Sequence, residues 1–301
     1  MPKCVMIFSK GGQLRSKIVK VMFFFLLLIP ILVKAENQDI SEVPHYVNAL
    51  GTKIRITDCE KIIAVYDEDY MEMMTEEDYE RFRNKKIDLN NLVQSKAYIK
   101  TTINHITDEV SHTQVSEAEY NNYSPENDSI EVYLETEYKH LTLTGSAYGD
   151  GYGDVTLGVV WKAIPVRRSF DILAVRYVGI ESINGTQTGK QVYKINGELG
   201  YVDYGWNGTN INRKDNGFGI SMNLINSADV DYFRMYIDSE IKFTGQGPTI
   251  YGTYQHAIKN VTLAASKNYI FTSGGLGGVI DYQSSFQEKY DDMQGLAIYF
   301  Y

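Results

Sequence analysis

The chain contains 301 residues, of which 44% are hydrophobic and 13% aromatic, and its formal net charge is −9. This length and apolar content support one large or two small hydrophobic cores and exclude a disordered chain. The acidic balance disfavours a nucleic-acid partner, which requires a basic face, and two cysteines exclude a disulfide-stapled scaffold or a four-cysteine zinc site.

Residues 1–35 have the pattern of a secretory signal peptide. Five basic residues between Lys3 and Lys20 precede an apolar run from Val21 to Val33, and the small residue Ala35 follows. The run has about 13 residues, whereas a membrane-spanning helix needs roughly 20. We therefore predict cleavage after Ala35 and secretion, with an uncleaved signal anchor as the alternative.

The predicted mature chain has no evident means of stable attachment to a membrane. Cleavage removes six basic residues and no acids, which takes the net charge from −9 to −15, so anionic surfaces would repel the mature chain. No second long apolar stretch or sorting motif follows. We expect a released protein without a stable membrane anchor. The remaining cysteine, Cys59, has acidic neighbours, and we expect it to be buried rather than reactive.

A shift in composition divides the mature chain. No glycine lies between Thr52 and Thr144, whereas 22 of the 25 glycines and both tryptophans lie in the later part of the sequence. We predict an acidic α+β region with one short helix and a polar linker over residues 36–128. A Gly/Tyr-rich antiparallel β domain is predicted over residues 129–301.

One helix is predicted in the acidic region, over about residues 76–86. Thr75 and Asp78 have the spacing of a capping box, and Met74 and Tyr79 have that of a hydrophobic staple. Acids in the first turn and bases in the last turn suit the helix dipole. Elsewhere in this region, Lys53–Ile56 and Lys61–Tyr66 are predicted as strands, Val93–Ile106 is rich in β-formers, and residues 108–128 are predicted as the linker.

The later region has the pattern of half-buried strands throughout. Val155, Leu157, Val159 and Trp161 alternate, with Thr156 and Gly158 between them, which is the two-residue period of a strand. Asn-Gly pairs supply turns between roughly ten such segments. The sequence therefore predicts a mostly β fold, with an antiparallel β-sandwich or barrel-like domain after the acidic region.

Three segments of this region carry a resemblance. They are Trp161–Asp171 (WKAIPVRRSFD), Asn216–Leu224 (NGFGISMNL) and Thr249–Ala257 (TIYGTYQHA). They resemble segments of an uncharacterised group of secreted β-rich proteins from low-GC Gram-positive bacteria. The resemblance covers about residues 155–280 and implies export and a β fold, without a specific activity.

Asp150 and Asp154 are the candidate metal ligands. They lie in the glycine-rich segment YGDGYGD, which begins at Tyr148. Glycines let backbone carbonyls and carboxylates converge on a hard cation, so Ca²⁺ is the candidate cofactor. The spacing matches no EF-hand loop, and a flexible hairpin connection is the alternative.

The candidate ligand-binding residues lie near a predicted strand end, among glycines. Aromatic faces with polar edges suit sugars and protein surfaces. The alternative is that the rings pack on one sheet face, with the tryptophan in the core. The candidate residues are Tyr201, Asp203, Tyr204, Trp206 and Asn207.

No familiar catalytic signature is present in the sequence, which leans against an enzyme. We expect a secreted, non-catalytic extracellular binding protein whose ligand is a glycan or a surface protein. Two alternatives stay open. One is a membrane-active or pore-forming β protein with Tyr232–Phe243 and Ile250–Ile258 as an amphipathic hairpin, and the other is a secreted hydrolase with an unrecognised site.

Overall fold

Two antiparallel β-sheets packed face to face organise the chain. The computed structural model describes residues 43–124, 133–214, 216–272, 279–282 and 287–301, so the predicted signal peptide lies outside the described residues. The described strands are β1 (His45–Val47), β2 (Lys53–Arg55), β3 (Leu92–Asn104), β4 (Glu109–Val115), β5 (Leu134–Ala147), β6 (Tyr152–Trp161), β7 (Phe170–Val178), β8 (Ile180–Ser182), β9 (Thr188–Ile195), β10 (Glu198–Tyr204), β11 (Ile211–Lys214), β12 (Gly217–Asn223), β13 (Val230–Phe243), β14 (Thr249–Gln255), β15 (Tyr269–Phe271), β16 (Ile280–Tyr282) and β17 (Leu296–Tyr299).

The strands form a large sheet and a small sheet. The large sheet has the order β10-β9-β13-β6-β5-β3-β4, with β8 paired to one end of β13, and the small sheet has the order β11-β12-β7-β14-β17. Two further pairs, β1–β2 and β15–β16, lie outside these sheets. The predicted mostly β, antiparallel sandwich is confirmed.

The facing sides of the two sheets make the main core. Leu157 and Trp161 of β6 are buried against Val175 of β7, Ile220 of β12 and Ile250 of β14. The two-residue alternation predicted for β6 therefore places its apolar residues between the sheets, where burial of apolar surface stabilises the sandwich.

A helical layer covers the outer face of the large sheet. Ile62, Tyr70 and Phe82 from this layer pack on Val192 of β9 and Tyr236 of β13. The described helices are α1 (Ile56–Val65), α2 (Glu68–Glu72), α3 (Glu76–Arg83), α4 (Glu117–Asn122) and α5 (Leu263–Ser266), with a short 3₁₀ turn at Leu89–Asn91. None of the described helices is long and apolar enough to span a membrane.

The predicted helix and its cap are present. The Thr75 side chain accepts a hydrogen bond from the Asp78 amide, and the Asp78 side chain accepts one from the Thr75 amide. The staple residues Met74 and Tyr79 are both buried. The helix ends at Arg83, three residues before the predicted end.

Two predictions in the acidic region are wrong. Lys61–Tyr66 is not a strand, because Cys59, Ile62 and Val65 repeat every three residues and form the buried stripe of α1. That helical spacing outweighs the β preference of the branched side chains. The linker predicted over residues 108–128 contains β4 and α4 in its described part. β4 looks polar because it is a largely exposed edge strand, and such strands favour polar residues.

The large sheet also runs across the boundary expected at residue 128. β3 pairs with β5 along thirteen residues, from Leu92 opposite Ser146 to Asn104 opposite Leu134. The acidic region therefore supplies two strands of the large sheet as well as its helical cover. The shift in glycine content marks the passage from the helical layer and one end of the large sheet to the remaining strands of both sheets, not a division between sheets.

The hairpin expected for a pore-forming protein is absent from the described strands. β13 lies between β6 and β9 in the large sheet, whereas β14 lies between β7 and β17 in the small sheet. The two segments therefore pair with other strands and not with each other.

Candidate functional site

The five predicted ligand-binding residues do not share one surface. Along β10 the side chains alternate, so Tyr201 and Asp203 are exposed while Tyr204 is buried in the core between the sheets. The Tyr204 hydroxyl accepts a hydrogen bond from Gln191 at 3.3 Å. For Tyr204, packing in the core is therefore correct, because strand geometry sends alternate residues to opposite faces.

Trp206 and Asn207 follow β10 in an exposed turn. Trp206 keeps 48% of its surface exposed, so the alternative in which the tryptophan lies in the core is wrong. Its ring lies 6.0 Å from the guanidinium carbon of Arg213. The turn thus places one aromatic face at the surface, separate from the buried Tyr204.

The two predicted metal ligands lie in different surroundings. Asp150 is exposed in the turn between β5 and β6 and pairs with Lys86 at 3.2 Å. Asp154 is on β6, with 3% of its surface exposed. Within the described ranges, no three or more histidine, cysteine or acidic side chains are grouped so that they could hold a metal ion.

Asp154 instead lines a cavity of about 320 Å³ between the helical layer and the outer face of the large sheet. We call it the helix–sheet cavity. Its walls combine aromatic rings with ionisable side chains, and it is open to solvent on one side. The lining residues used below are Tyr66, Tyr70, Asp78, Phe82, Lys85, Asp154, Lys190, Tyr236, Asp238 and Glu240.

Strand register brings three carboxylates to this wall. β13 pairs with β6 so that Glu240 lies opposite Asp154 and Asp238 lies opposite Thr156. Residues two apart on a strand face the same side. Asp154, Asp238 and Glu240 are therefore neighbours on the outer face, beneath the helices.

Lys85, just after α3, reaches between two of these carboxylates. Its Nζ lies 3.3 Å from Asp238 Oδ1 and 3.7 Å from Asp154 Oδ1. Burial disfavours the charge on Lys85, but Asp238 and Asp154 outweigh it and raise the pKa of the ammonium. The lysine is therefore held as a cation.

Asp238 and Asp154 differ in their hydrogen bonds. The Tyr66 hydroxyl lies 3.2 Å from both Asp238 oxygens, and Thr156 donates to the same carboxylate. Both oxygens of Asp154 are buried and accept no hydrogen bond from the residues that the structure describes. Lys85 is too distant for one. Asp154 therefore presents two unmet acceptors at the cavity.

This environment changes the acidity of Asp154. Burial raises the pKa of its carboxyl to about 6, with Lys85 opposing the rise and Asp238 adding to it. A carboxyl with such a pKa takes up or releases a proton near neutral pH.

A second ion cluster borders the cavity and reaches the predicted loop. Lys190 Nζ lies 2.7 Å from both oxygens of Asp78, which also accepts from Arg81 at 2.6 Å. The same ammonium is 3.2 Å from Asp203 and 4.5 Å from the ring centroid of Tyr201. Tyr201 and Asp203 therefore lie next to the cavity, in contact with Lys190, which lines it.

Several cavity residues carried no signal in the sequence analysis. The sequence predicts Asp78 only as part of a helix cap, and Lys85 only as one of the bases near the end of that helix. Asp238 could have been found, because a carboxylate in the middle of the apolar segment YFRMYIDSEIKF requires a buried partner. Only the folded sheet shows that this partner is Lys85.

No family model matches the chain, and no curated protein is significantly similar to it.

Proposed function

We propose that this chain is an exported, non-catalytic binding protein whose helix–sheet cavity binds a sugar residue at the end of an extracellular glycan. The observation that carries this proposal is Asp154, whose two buried carboxylate oxygens lack hydrogen-bond donors at the wall of an open cavity. Buried acceptors without partners are costly. Sugar hydroxyls are donors of the kind that would satisfy them.

The remaining walls support the same ligand class. The rings of Tyr66, Tyr70 and Phe82 form an aromatic side, while Asp238 and Lys85 offer further polar contacts. Ligand sites commonly combine apolar walls with a few fixed polar groups and have volumes from roughly 300 Å³. A cavity of about 320 Å³ fits one end group rather than a long chain.

Export is part of the proposal and rests on the sequence. The basic segment, the short apolar run and Ala35 together support secretion. The acidic mature chain would stay in solution, where extracellular glycans and surface proteins are the available ligands.

A glycan array tests the proposal, with the fluorescently labelled protein and two substitutions. Asp154→Asn keeps the shape of the side chain but places a donor where the ligand needs an acceptor. We expect it to weaken binding to the preferred glycan at least tenfold. Asp150→Asn is the matched control, because Asp150 is exposed and paired with Lys86 outside the cavity wall, and it should bind as the wild type does.

Two results would overturn the glycan assignment. If the folded protein binds no glycan on the array, a surface protein becomes the favoured ligand. Equal binding by wild type and Asp154→Asn would show that the helix–sheet cavity is not the binding site.

A secreted hydrolase is the second candidate, and one observation favours it. Asp154 has a pKa of about 6 in an open cavity next to Asp238, and a carboxyl of this kind can act as a general acid. New reducing ends appearing in a bound glycan, and lost in Asp154→Asn, would favour the hydrolase over the non-catalytic protein.

A further inference from the structure

A second group of ionisable residues lies sealed inside the protein, where the two sheets meet the C-terminal segment. We call it the sealed cluster; it consists of Glu137 and Lys139 on β5, Asp171 on β7, His256 just after β14, and Asp291. All five side chains are at most 2% exposed. Charged groups buried to this extent need partners within the cluster.

Lys139 and Asp291 make the shortest contact of the sealed cluster. Nζ lies 2.5 Å from Asp291 Oδ2, and neither side chain has any exposed surface. The ammonium also lies 4.6 Å from the centroid of the Trp161 ring and 5.7 Å from that of Tyr254. The amine nitrogen and the carboxyl group are thus held together in surroundings with little water.

The two oxygens of Asp291 have different partners. Oδ1 accepts a hydrogen bond from the His256 backbone amide at 2.9 Å, while Oδ2 faces Lys139. A backbone N–H fixed on one carboxyl oxygen stabilises the negative charge that develops there when a nucleophile adds to the carbon. Oδ2 is then the oxygen placed to leave.

Glu137 supplies a third group at the same point. Its Oε2 lies 3.1 Å from Lys139 Nζ. Burial raises the pKa of the Glu137 carboxyl above its usual value, although Lys139 opposes the rise. Glu137 can therefore hold a proton and pass it between the lysine nitrogen and the departing oxygen.

We propose that Lys139 and Asp291 are joined by an intramolecular amide bond, formed by the protein itself and promoted by Glu137. The Nζ–Cγ bond forms and the Cγ–Oδ2 bond breaks. Of the three ammonium protons, two leave with Oδ2 as water and one stays on the amide nitrogen. The reaction consumes one positive and one negative charge and needs no further reactant.

A second buried lysine–aspartate pair shows that a short distance between the two groups is not sufficient for the reaction. Lys190 lies 2.7 Å from Asp78 with both side chains 3% exposed. Asp78 also accepts from Arg81 and from the Thr75 hydroxyl and amide. These donors hold it as a carboxylate. The other acid near Lys190, Asp203, has a side chain that is 42% exposed, so no buried acid among the described residues lies beside this pair as Glu137 lies beside Lys139. We therefore expect Lys190 and Asp78 to remain an ion pair.

Intact-mass spectrometry of the purified chain tests the bond, with the N-terminus of the sample read by fragmentation. We expect a mass lower by one water molecule than the sequence requires, and a protease digest that contains a branched peptide joining Lys139 to Asp291. The bond does not depend on the proposed glycan binding, and this measurement requires no ligand.

Substitutions distinguish formation of the proposed bond from other reactions that release water. Lys139→Arg should have the full mass, whereas cyclisation of an aspartate elsewhere would keep the loss. Lys190→Arg is the matched control and should retain the loss. Glu137→Gln should fold, as judged by far-UV circular dichroism, yet have the full mass.

The full mass in wild-type protein, or a loss of water that persists in Lys139→Arg, would overturn the proposal. The bond appearing unchanged in Glu137→Gln would overturn the assignment of Glu137. If Lys139→Arg does not fold, the presence or absence of the branched peptide in the wild type still decides the question.

Discussion

Lys85 and Lys139 each lie between two carboxylates, the first beneath the helical layer and the second inside the sandwich. Lys85 lies near Asp238 and Asp154, and its side chain is 15% exposed at an open cavity. Lys139 lies between Glu137 and Asp291 and has no exposed surface. Each group combines one lysine with two carboxylates, and the two groups differ in the access of water.

The access of water determines which interactions each of these two groups of charged residues can make. In the helix–sheet cavity a ligand can enter and approach Asp154, whose oxygens accept no hydrogen bond from the described residues. In the sealed cluster no ligand can enter, and the charges can interact only with each other. A lysine between two carboxylates is therefore suited to ligand binding where solvent can reach it, and to contacts within the protein where it is sealed from solvent.

Replacement of each lysine by methionine should show the largest difference between the two sites. Lys139→Met should lower the free energy of unfolding by at least about 4 kcal/mol, because it leaves buried carboxylates unpaired and removes the proposed covalent tie. Lys85→Met should cost less, about 2 kcal/mol, because the lysine is 15% exposed and water can reach the cavity, which lowers the loss below that of a fully buried pair. Guanidinium unfolding of both variants measures the difference, and equal losses would contradict it.

The acid side of the stability profile tests the open cavity. The pKa of Asp154 is about 6 in the folded chain against 3.8 for a free side chain. The protonated form favours folding, so its contribution is fully present below about pH 4 and is lost as the pH rises through 6. Asp154→Asn should abolish this dependence and be more stable than wild type at pH 7 by up to about 3 kcal/mol. The same slope in both proteins would contradict the prediction.

The alkaline side tests the sealed cluster. Burial alone would lower the pKa of His256, but the nearby carboxylates of Asp171 and Glu137 outweigh burial and raise it to about 9. The charged form favours folding, so this stability is present below about pH 6.5 and is lost as the pH rises through 9. We expect a decrease of about 2 kcal/mol over that range.

His256→Gln should flatten this alkaline limb in denaturant unfolding followed across pH. His140 is the control, because burial lowers its pKa to about 4. His140→Gln should therefore leave the limb unchanged, and a loss of the limb in that variant would remove His256 as its source.

The smallest effect is expected at the exposed turn after β10. Trp206→Ala should change the free energy of unfolding by less than about 0.5 kcal/mol and leave glycan affinity unaltered. Tyr204→Ala should cost about 3 kcal/mol, because it opens a hole between the sheets. If folded Trp206→Ala loses glycan binding, the binding site lies at this turn and not in the helix–sheet cavity.

The sequence predicts local features of this fold well. The capping box at Thr75 and the alternation of β6 depend on residues close together in the chain, and both are present. α1 was missed because its branched residues favour strands, while its burial pattern becomes visible only against the large sheet. β4 was missed because an exposed edge strand has the composition of a linker.

The candidate site was only partly predictable for the same reason. Asp154 and Asp203 were identified from their glycine and aromatic neighbours, yet they were assigned to separate sites. Their partners Lys85 and Lys190 come from other parts of the chain. The pairing of Lys139 with Asp291 spans 152 positions, and no local pattern marks it.

The position of β13 has a consequence for how the chain folds. β3, β4, β5 and β6 are consecutive strands that can pair as soon as they are synthesised, but the other edge of β6 receives β13, whose first residue is Val230. Until that strand arrives, β6 presents unpaired backbone groups to other chains. Because such distant pairing is slow, aggregation competes with folding most strongly before residues 230–243 are in place. A chaperone that shields this edge would raise the yield more than one that binds the helical layer.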